Sequence, residues 1–245
     1  MNNIIISQEV GLKTEKSTNS KANYYFWKRV IDLCIVIPSL IFLGPLMLAL
    51  AIMIRMDSDG PAIFVQERVG AKRIYKNGRW VWQTVTFPIY KYRTMRVNAG
   101  SKLHREYIAA YIEGDEEKMA KIRGEQNKTF KMTKDPRVTK VGKVLRKLSL
   151  DELPQLFNVL RGEMSIVGPR PPIPYEVELY KSSQMARLAA TPGMTGWWQV
   201  SGRAATSFQE MVDLDVEYIH KSSVWMDMKI IFLTVPAAIN QKGAG

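Results

Sequence analysis

Two adjacent acids, Asp151 and Glu152, stand in an otherwise apolar and basic stretch, LSLDELPQLFNVL, at residues 148–160. Ser149 and Glu152 have the spacing of a capping box, in which two side chains bond the free N–H groups of a first helical turn. A cap accounts for Glu152 but not for Asp151, whose side chain would point roughly 100° away around the helix axis. Two hypotheses stay open: a capped helix start, or a carboxylate pair that meets phosphate at a helix N-terminus.

The phosphate hypothesis carries a chemical requirement. A free carboxylate and a phosphate repel each other, so one acid must bind a divalent cation before the other can attack phosphorus. Glycosidase chemistry is excluded for this pair. Adjacent acids on one helical turn cannot readily flank a sugar ring at the separation of about 5 Å or more that such enzymes need.

Basic residues elsewhere in the chain could supply phosphate contacts. Arg170 lies between Pro169 and Pro171, where a stiff backbone offers a planar donor fork suited to phosphate. A rigid loop with a solvated arginine would have the same sequence. Lys91 and Arg93 alternate with tyrosines in IYKYRTM, so on a strand they would share one face. A plain amphipathic strand has this pattern as well.

Composition indicates a folded protein with an anionic partner. The chain has 245 residues, 46% of them hydrophobic, and a net charge of +12 at pH 7. Such a charge predicts binding to nucleic acid, acidic lipid or a phosphorylated substrate. Cys34 is the only cysteine, which excludes a disulfide framework or a cysteine metal cluster within one chain and favours a reducing cytoplasmic setting.

A long uncharged run near the N-terminus predicts a membrane element. Residues 33–54 contain no charge, and as a helix these 22 residues would measure roughly 33 Å against about 30 Å of bilayer hydrocarbon. An aromatic and basic cluster at residues 24–29 precedes the run, as at a membrane interface. Pro38 and the Gly44-Pro45 pair each predict a bend. Because both flanks are basic, a helix that dips in and returns competes with an ordinary signal anchor that has a proline kink.

The rest of the chain predicts an α+β protein that is mostly helical. Alternating residues around Asn77-Gly78 predict an antiparallel hairpin within residues 60–96. Residues 98–128 predict two short surface helices broken at Gly114 and Gly124. A short buried strand should lead into the proline loop of Arg170. Further helices are expected around the two acids and in the segments 174–190, 206–222 and 224–240.

Several motifs, taken in order, resemble the bacterial sugar transferase family, the monotopic phosphoglycosyl transferases, over roughly residues 24–240. The motifs that carry this resemblance are KRVIDL (28–33), QERVG (66–70), YKYRTM (90–95), the segment from DPRVTK to GPRPP (135–172), RLAATPGMTGWWQVSGR (187–203) and LDVEYI (214–219).

The resemblance implies transfer of a sugar phosphate from a nucleoside diphosphate sugar, usually a UDP-sugar, to polyprenyl phosphate, with release of UMP. This is the initiating step of exopolysaccharide, capsule, O-antigen or glycoprotein glycan assembly. It implies that Asp151 is the nucleophile of a covalent phosphosugar intermediate, that Glu152 holds Mg²⁺, and that Arg170 contacts substrate phosphate. The further assigned residues are Lys91, Arg93 and Arg146 for phosphate binding, and Asp215 and Pro171 in support.

The resemblance also implies an architecture. We expect a flexible tail at residues 1–22, a broken re-entrant helix at 23–57 on the cytoplasmic face of the bacterial inner membrane, and a catalytic domain at 58–245. Gly44-Pro45 stands where the family has a Ser-Pro bend, so the serine hydroxyl is missing. Longer members carry extra N-terminal segments, so we expect a catalytic unit with its own anchor.

Interfacial amphipathic helices and a bilayer contact for Trp197, Trp198 and Trp225 are further expectations, with core packing as the alternative for these tryptophans. The resemblance implies no nucleic-acid partner and leaves a homodimer open. The competing class is a membrane-tethered basic protein that binds nucleic acid or lipid without catalysis. Such a binder would explain the charge of +12, but it leaves Asp151, Glu152 and Arg170 without a reason.

Overall fold

One long helix and a mixed domain built against it make up the computed structural model. It describes residues 21–96, 102–123, 137–201 and 206–239. The helix, α1, spans Ala22–Asp57. Nearly all of the predicted tail, along with Gly124, lies outside the described residues.

The remaining elements follow in chain order. They are β1 (Ile63–Lys76), β2 (Arg79–Tyr92), α2 (Lys102–Glu113), α3 (Glu116–Arg123), α4 (Lys140–Lys147), a 3₁₀ turn (Leu150–Glu152), α5 (Gln155–Leu160), β3 (Ser165–Val167), α6 (Pro174–Val177), a second 3₁₀ turn (Gln184–Leu188), β4 (Gly193–Thr195), α7 (Trp197–Ser201), α8 (Phe208–Lys221) and α9 (Val224–Ile239). The predicted class, mostly helical with a small antiparallel sheet, is confirmed.

The hairpin of β1 and β2 forms where the sequence predicts it. Its two strands pair antiparallel over their whole length, from Ile63 opposite Tyr92 to the turn. Asn77 and Gly78 have φ values of 51° and 76°, the left-handed conformations that a tight two-residue turn needs. The long hairpin carries Lys91 near its far end, next to the acids.

A second sheet joins β3 and β4 in parallel. The short strand β3 before the proline loop is confirmed, whereas its partner β4 was not predicted. Three residues in a turn-rich segment have too little alternation to indicate a strand. Close backbone packing selects glycine here, because a Cβ on Gly193 would overlap the amide nitrogen of Gly168.

Helix α1 continues through both of its prolines, so neither Pro38 nor Pro45 ends it. Its 36 residues would measure about 54 Å, which exceeds the roughly 30 Å of bilayer hydrocarbon. By length and composition it could cross a membrane. One stripe, including Val36 and Ile54, packs against the domain, while Ile41 and Phe42 are exposed. The predicted bend and re-entrant path stay predictions.

Two helical expectations need correction. Residues 102–123 do form two helices separated by Gly114, but α2 is not a plain surface helix, since Tyr107 and Ile108 are buried. The expected helix over 174–190 is instead the single turn α6 and a later 3₁₀ turn. Pro174 can begin a helix, and the polar Lys-Ser-Ser segment that follows favours a turn over its continuation.

Candidate active site

The two acids lie on the 3₁₀ turn between α4 and α5. The predicted capping box is wrong, because Ser149 makes no side-chain cap. Ser149 instead ends α4: its N–H donates to the carbonyl of Arg146 (3.2 Å), and its φ of 55° is the left-handed conformation common at helix C-termini. Asp151 and Glu152 therefore belong to a connecting turn that leads into α5.

A salt bridge joins this turn to the hairpin. Lys91 Nζ lies 2.7 Å from Glu152 Oε1, with the two side chains 19% and 33% exposed. Partial exposure weakens such a pair through solvent screening, so its main effect is to orient the two groups. The contact places Lys91 beside the acids, while its assigned role in phosphate binding stays a prediction.

A buried asparagine aligns the elements that carry this pair. Asn158 on α5 is fully buried and bonds the backbone of β2 in both directions. Its Oδ1 accepts from the N–H of Tyr90 (3.1 Å), and its Nδ2 donates to the carbonyl of Pro88 (2.6 Å). Because Lys91 follows Tyr90 directly, the hydrogen bonds of Asn158 fix the backbone next to Lys91 and so help to place this lysine beside Glu152. The sequence analysis missed this residue, since an asparagine on a short helix gives no signal of its partner.

The electrostatic surroundings of Asp151 have two opposing parts. Burial, followed by the charge of Glu152, raises the pKa of the Asp151 carboxyl, whereas Lys91 and Arg146 act to lower that pKa. Arg146 Nε donates to Thr94 Oγ1 (2.9 Å), which places this arginine on the acids' side of α4. Both cations favour the anionic form of Asp151, the form that can act as a nucleophile.

A cleft opens beside Glu152 and collects four of the assigned residues, whereas Asp151, the neighbour of Glu152 on the same turn, is not among its lining residues. The four assigned residues are Lys91, Glu152, Arg170 and Pro171. The cleft is also lined by residues that sequence reasoning missed, namely Arg68, Ile89, Gln155, Gly193, Met194 and Gln199. Three positive side chains converge on it, so it suits an anionic ligand such as phosphate.

Arg68 is the most informative of the missed residues. It is buried on β1, and burial together with the nearby charge of Arg170 lowers its pKa to about 10. Its Nη1 donates to the carbonyl of Pro171 (3.0 Å), and the N–H of Val69 donates to the carbonyl of Pro172 (2.8 Å). β1 therefore holds the loop of Arg170. An arginine inside the otherwise alternating QERVG strand was the available signal.

Asp215 supports the same loop from behind. The buried Asp215 carboxylate accepts two hydrogen bonds from Arg187, at 2.7 and 2.9 Å. Arg187 also donates to Tyr180 Oη (2.8 Å) and to the carbonyl of Arg170 (3.3 Å). Asp215 thus contacts the loop through Arg187 and is not among the residues that line the cleft, and its supporting role stays a prediction.

Arg93 is not brought to the cleft, and its assignment to phosphate binding is corrected. β2 ends at Tyr92, so the alternation that would place Arg93 beside Lys91 stops one residue too early. The buried guanidinium of Arg93 instead donates to the carbonyls of Ser58 (2.6 Å) and Asp59 (2.7 Å) just after α1. A cation there complements the negative end of the helix dipole.

Replacing Arg93 with methionine should therefore lower stability without a specific effect on the cleft. Loss of hydrogen bonds from a charged donor to buried carbonyls should reduce the free energy of unfolding by about 1.5–3 kcal/mol. Thermal or denaturant unfolding measures this change. Turnover per folded molecule should stay at the wild-type level, and a selective loss of turnover in a stable Arg93→Met protein would restore Arg93 to the site.

The predicted interfacial tryptophans separate into two environments. Trp225 on α9 is 82% exposed, so core packing is wrong for this residue. Trp197 packs partly against the core, and its Nε1 donates to Glu217 (3.1 Å). Phe232 on α9 is exposed while Ile230 is fully buried, so α9 has one buried and one open apolar face.

The acids meet the requirements of a magnesium ion in part. In the described ranges, no group of three or more histidine, cysteine, aspartate or glutamate residues could hold a metal alone. Mg²⁺ commonly binds through one or two carboxylates and completes its shell with substrate phosphates and water. Glu152 is partly exposed at the cleft beside Asp151, so the carboxylates present fit an ion shared with a phosphate ligand.

Comparison with known proteins assigns this chain to a family. The model of the family described as "Bacterial sugar transferase" matches residues 23–241. The galactosyl transferase CpsE of Streptococcus agalactiae is 42% identical over 225 residues, 91% of this chain and 44% of that protein. The undecaprenyl-phosphate galactose phosphotransferase of Salmonella typhimurium is 40% identical over 240 residues, 98% of this chain and 46% of that protein.

The relatives that match this chain include longer proteins and a protein of similar length. The chain spans about half the length of the two relatives just described. The exopolysaccharide production protein ExoY of Sinorhizobium fredii is 43% identical over 217 residues, which are 89% of this chain and 87% of that protein. The family match over nearly the whole chain, together with these identities, shows that this protein belongs to the bacterial sugar transferase family.

Proposed function

We propose that the protein transfers a sugar phosphate from a UDP-sugar to polyprenyl phosphate and releases UMP, as the first step of a surface or glycoprotein glycan. The observation that carries this proposal is the cleft lined by Lys91, Glu152 and Arg170, in which Glu152 is bridged to Lys91 and follows Asp151 directly in the chain. Undecaprenyl-phosphate phosphotransferases among the relatives support the choice of acceptor.

In the first step, a carboxylate oxygen of Asp151 attacks the β-phosphorus of the donor. A new bond forms between this oxygen and phosphorus, and the bond from the β-phosphorus to the bridging oxygen breaks. That oxygen leaves with its electron pair as part of UMP. The sugar phosphate is then held on Asp151 as an acyl phosphate ester.

In the second step, a phosphate oxygen of the polyprenyl phosphate attacks the same phosphorus. The bond between phosphorus and Asp151 breaks, which regenerates the carboxylate and yields a polyprenyl diphosphate sugar. Two displacements let the soluble donor leave before the lipid phosphate enters, so one cleft can serve both substrates. The acceptor head group never has to leave the bilayer surface.

The basic residues stabilise the negative charge of both steps. Lys91, Arg170 and Arg68 all line the cleft and supply three positive charges. Pre-oriented cations in a site shielded from water stabilise phosphate charge more than mobile cations in solution do. We assign Mg²⁺ binding to Glu152, which leaves Asp151 free for the attack. An ion held there would neutralise phosphate charge and so would allow an anionic nucleophile to approach.

We also propose that α1 follows a re-entrant path with the domain on the cytoplasmic side, and contacts at both ends of α1 support the path. Lys28 near the start of α1 bonds Val167, and Ile54 near its end packs in a core cluster of the same domain. Ile41 and Phe42 between these contacts are exposed. One side of the middle of α1, including Leu40 and Met47, also packs on the domain, so we expect the opposite, exposed side to enter the bilayer while both ends stay on one membrane face.

Cysteine labelling tests this path. In a Cys34→Ser background, the variants Asn23→Cys and Tyr75→Cys place a thiol in the exposed first turn of α1 and on the exposed hairpin. A membrane-impermeant maleimide should label both thiols in inside-out inner-membrane vesicles and neither in intact spheroplasts. Detergent-opened vesicles serve as the control for reactivity. Labelling of the two thiols from opposite sides would mean that α1 spans the bilayer.

A donor screen tests the activity itself. Purified protein is incubated with Mg²⁺, undecaprenyl phosphate and one UDP-sugar at a time, and UMP is measured. We expect UMP release with at least one donor, dependent on both Mg²⁺ and the lipid acceptor for sustained turnover. Absence of UMP with every donor, under conditions where the protein is folded, would reject the proposed function and favour a basic binding protein.

A further inference from the structure

Two side chains on the membrane helix hold the short strand β3. Asp32 Oδ1 accepts hydrogen bonds from Ser165 Oγ (3.0 Å) and from the N–H of Ile166 (2.9 Å). Lys28 Nζ donates to the carbonyl of Val167 (2.8 Å). Lys28 and Asp32 are four residues apart, so they lie on the same face of α1. All three residues of β3 are therefore bonded to this one face.

These charges are buried, which argues against a role in stability alone. Lys28 is 8% exposed and Asp32 is 5% exposed. Lys28 pairs with Asp227 of α9 (2.8 Å), whose other oxygen accepts from Tyr218 Oη (2.7 Å). Desolvation of buried ion pairs cancels much of their attraction, and apolar packing could join helix and strand at less cost. What the polar contacts add is a defined position of the strand.

The position of β3 fixes the start of the loop of Arg170, whose later residues are held by β1 and by Arg187. Val167 is followed directly by Gly168, whose N–H donates to the carbonyl of Thr195 on β4 (2.8 Å). A Cβ on Gly168 would overlap the carbonyl oxygen of Thr191, so the backbone is tightly enclosed there. A displacement of β3 therefore moves the loop as well, because the strand and the loop have no flexible segment between them.

We propose that Lys28 and Asp32 are positioning residues for Arg170, which makes the membrane-inserted helix a part of the phosphate site. The inference rests on the proposed function, in which Arg170 contacts donor and acceptor phosphate. The proposal links the anchoring of the protein in the membrane to the position of its phosphate-binding arginine. Because the helix sets the height of β3, the depth of the helix in the bilayer sets the height of Arg170 relative to the lipid phosphate.

Variants of Asp32 test the positioning role. Asp32→Ala removes both acceptor bonds to β3 and should lower kcat/KM for UMP release by about 10- to 100-fold, the loss expected for a displacement near 1 Å. Asp32→Asn keeps an oxygen that accepts from Ser165 and Ile166, so it should restore most of the activity. Asp213→Ala, an exposed aspartate of α8, is the matched control and should have wild-type kinetics.

A double-mutant cycle separates positioning from general destabilisation. In an Arg170→Ala background, adding Asp32→Ala should cost no more than about two-fold in kcat/KM, because the residue being positioned is already absent. If the losses of the two single variants multiply in the double variant, Asp32 does not act through Arg170 and the proposal is overturned. Ser165→Ala, which removes only one hydrogen bond, repeats the cycle in a milder form should Asp32→Ala fail to fold.

The positioning role of Lys28 is tested by a double substitution that leaves the net charge unchanged. Lys28→Met with Asp227→Asn removes both buried charges together and leaves an acceptor for Tyr218. Binding of UDP with Mg²⁺, measured by calorimetry, should weaken in this variant and in Arg170→Ala. If the wild-type protein binds UDP but releases no UMP, and the binding weakens in the Arg170, Asp32 and Lys28 variants, the proposed transferase activity is rejected. The positioning role of Lys28 and Asp32 is then retained. UMP release and UDP binding at wild-type levels in the Lys28 and Asp32 variants would reject the positioning alone.

Discussion

Replacing Asp151 with asparagine is expected to abolish UMP release, with a loss on the order of 10⁴-fold or more, as for other essential nucleophiles. Asparagine has nearly the same shape as aspartate, but its amide is neutral and cannot form the bond to phosphorus at a useful rate. The turn itself should not change, because the side chain is only half-buried and the backbone bonds of the turn stay intact. UMP release with donor and acceptor measures the effect.

Mass spectrometry tests whether the loss of UMP release arises because the bond between Asp151 and phosphorus cannot form. Wild-type protein quenched after mixing with donor and Mg²⁺ alone should carry one added sugar phosphate on the peptide that contains Asp151. The Asp151→Asn protein should carry none. Asp213→Asn, the same change at an exposed position of α8, should behave as wild type in both measurements. Near-normal turnover by Asp151→Asn would assign the attack to another group.

Arg170 is expected to show the second-largest effect. Arg170→Ala should lower kcat/KM by roughly 10²–10³-fold, the usual loss when one pre-oriented donor to transition-state charge is removed. Arg170→Lys should recover only part of this loss, since lysine keeps the charge but not the planar fork that binds two phosphate oxygens. Steady-state UMP release over a range of donor concentrations separates kcat from KM.

The exposed position of Arg170 makes its result easy to interpret. The side chain lies at the surface of a loop whose backbone is held by Arg68, Val69 and Arg187, so its removal should leave the melting temperature near the wild-type value. Arg79→Ala, at the exposed turn of the hairpin, is the control for loss of one positive charge from the protein. Equal effects of the two variants would indicate that net charge, and not a local phosphate contact, drives activity.

Sequence reasoning failed at the site where local and tertiary requirements differ. The spacing of Ser149 and Glu152 is that of a capping box, but Ser149 follows the end of α4, and only the folded turn between α4 and α5 makes this visible. Arg93 failed for a related reason. The alternation of a strand applies only as far as the strand extends, and β2 ends at Tyr92. Arg93, the next residue, bonds the carbonyls just after α1 instead.

The sequence by itself determined the family, the hairpin turn, the apolar helix and the candidate acids with the proline-fixed Arg170. These features rest on residue type and near-neighbour spacing, which local physics decides: a left-handed Asn-Gly turn, an uncharged run, a proline-fixed arginine. Only the tertiary structure decided which charges work together. Lys91 meets Glu152 across 61 residues and Lys28 meets Val167 across 139, and no local pattern records such pairings, because packing of distant elements creates them.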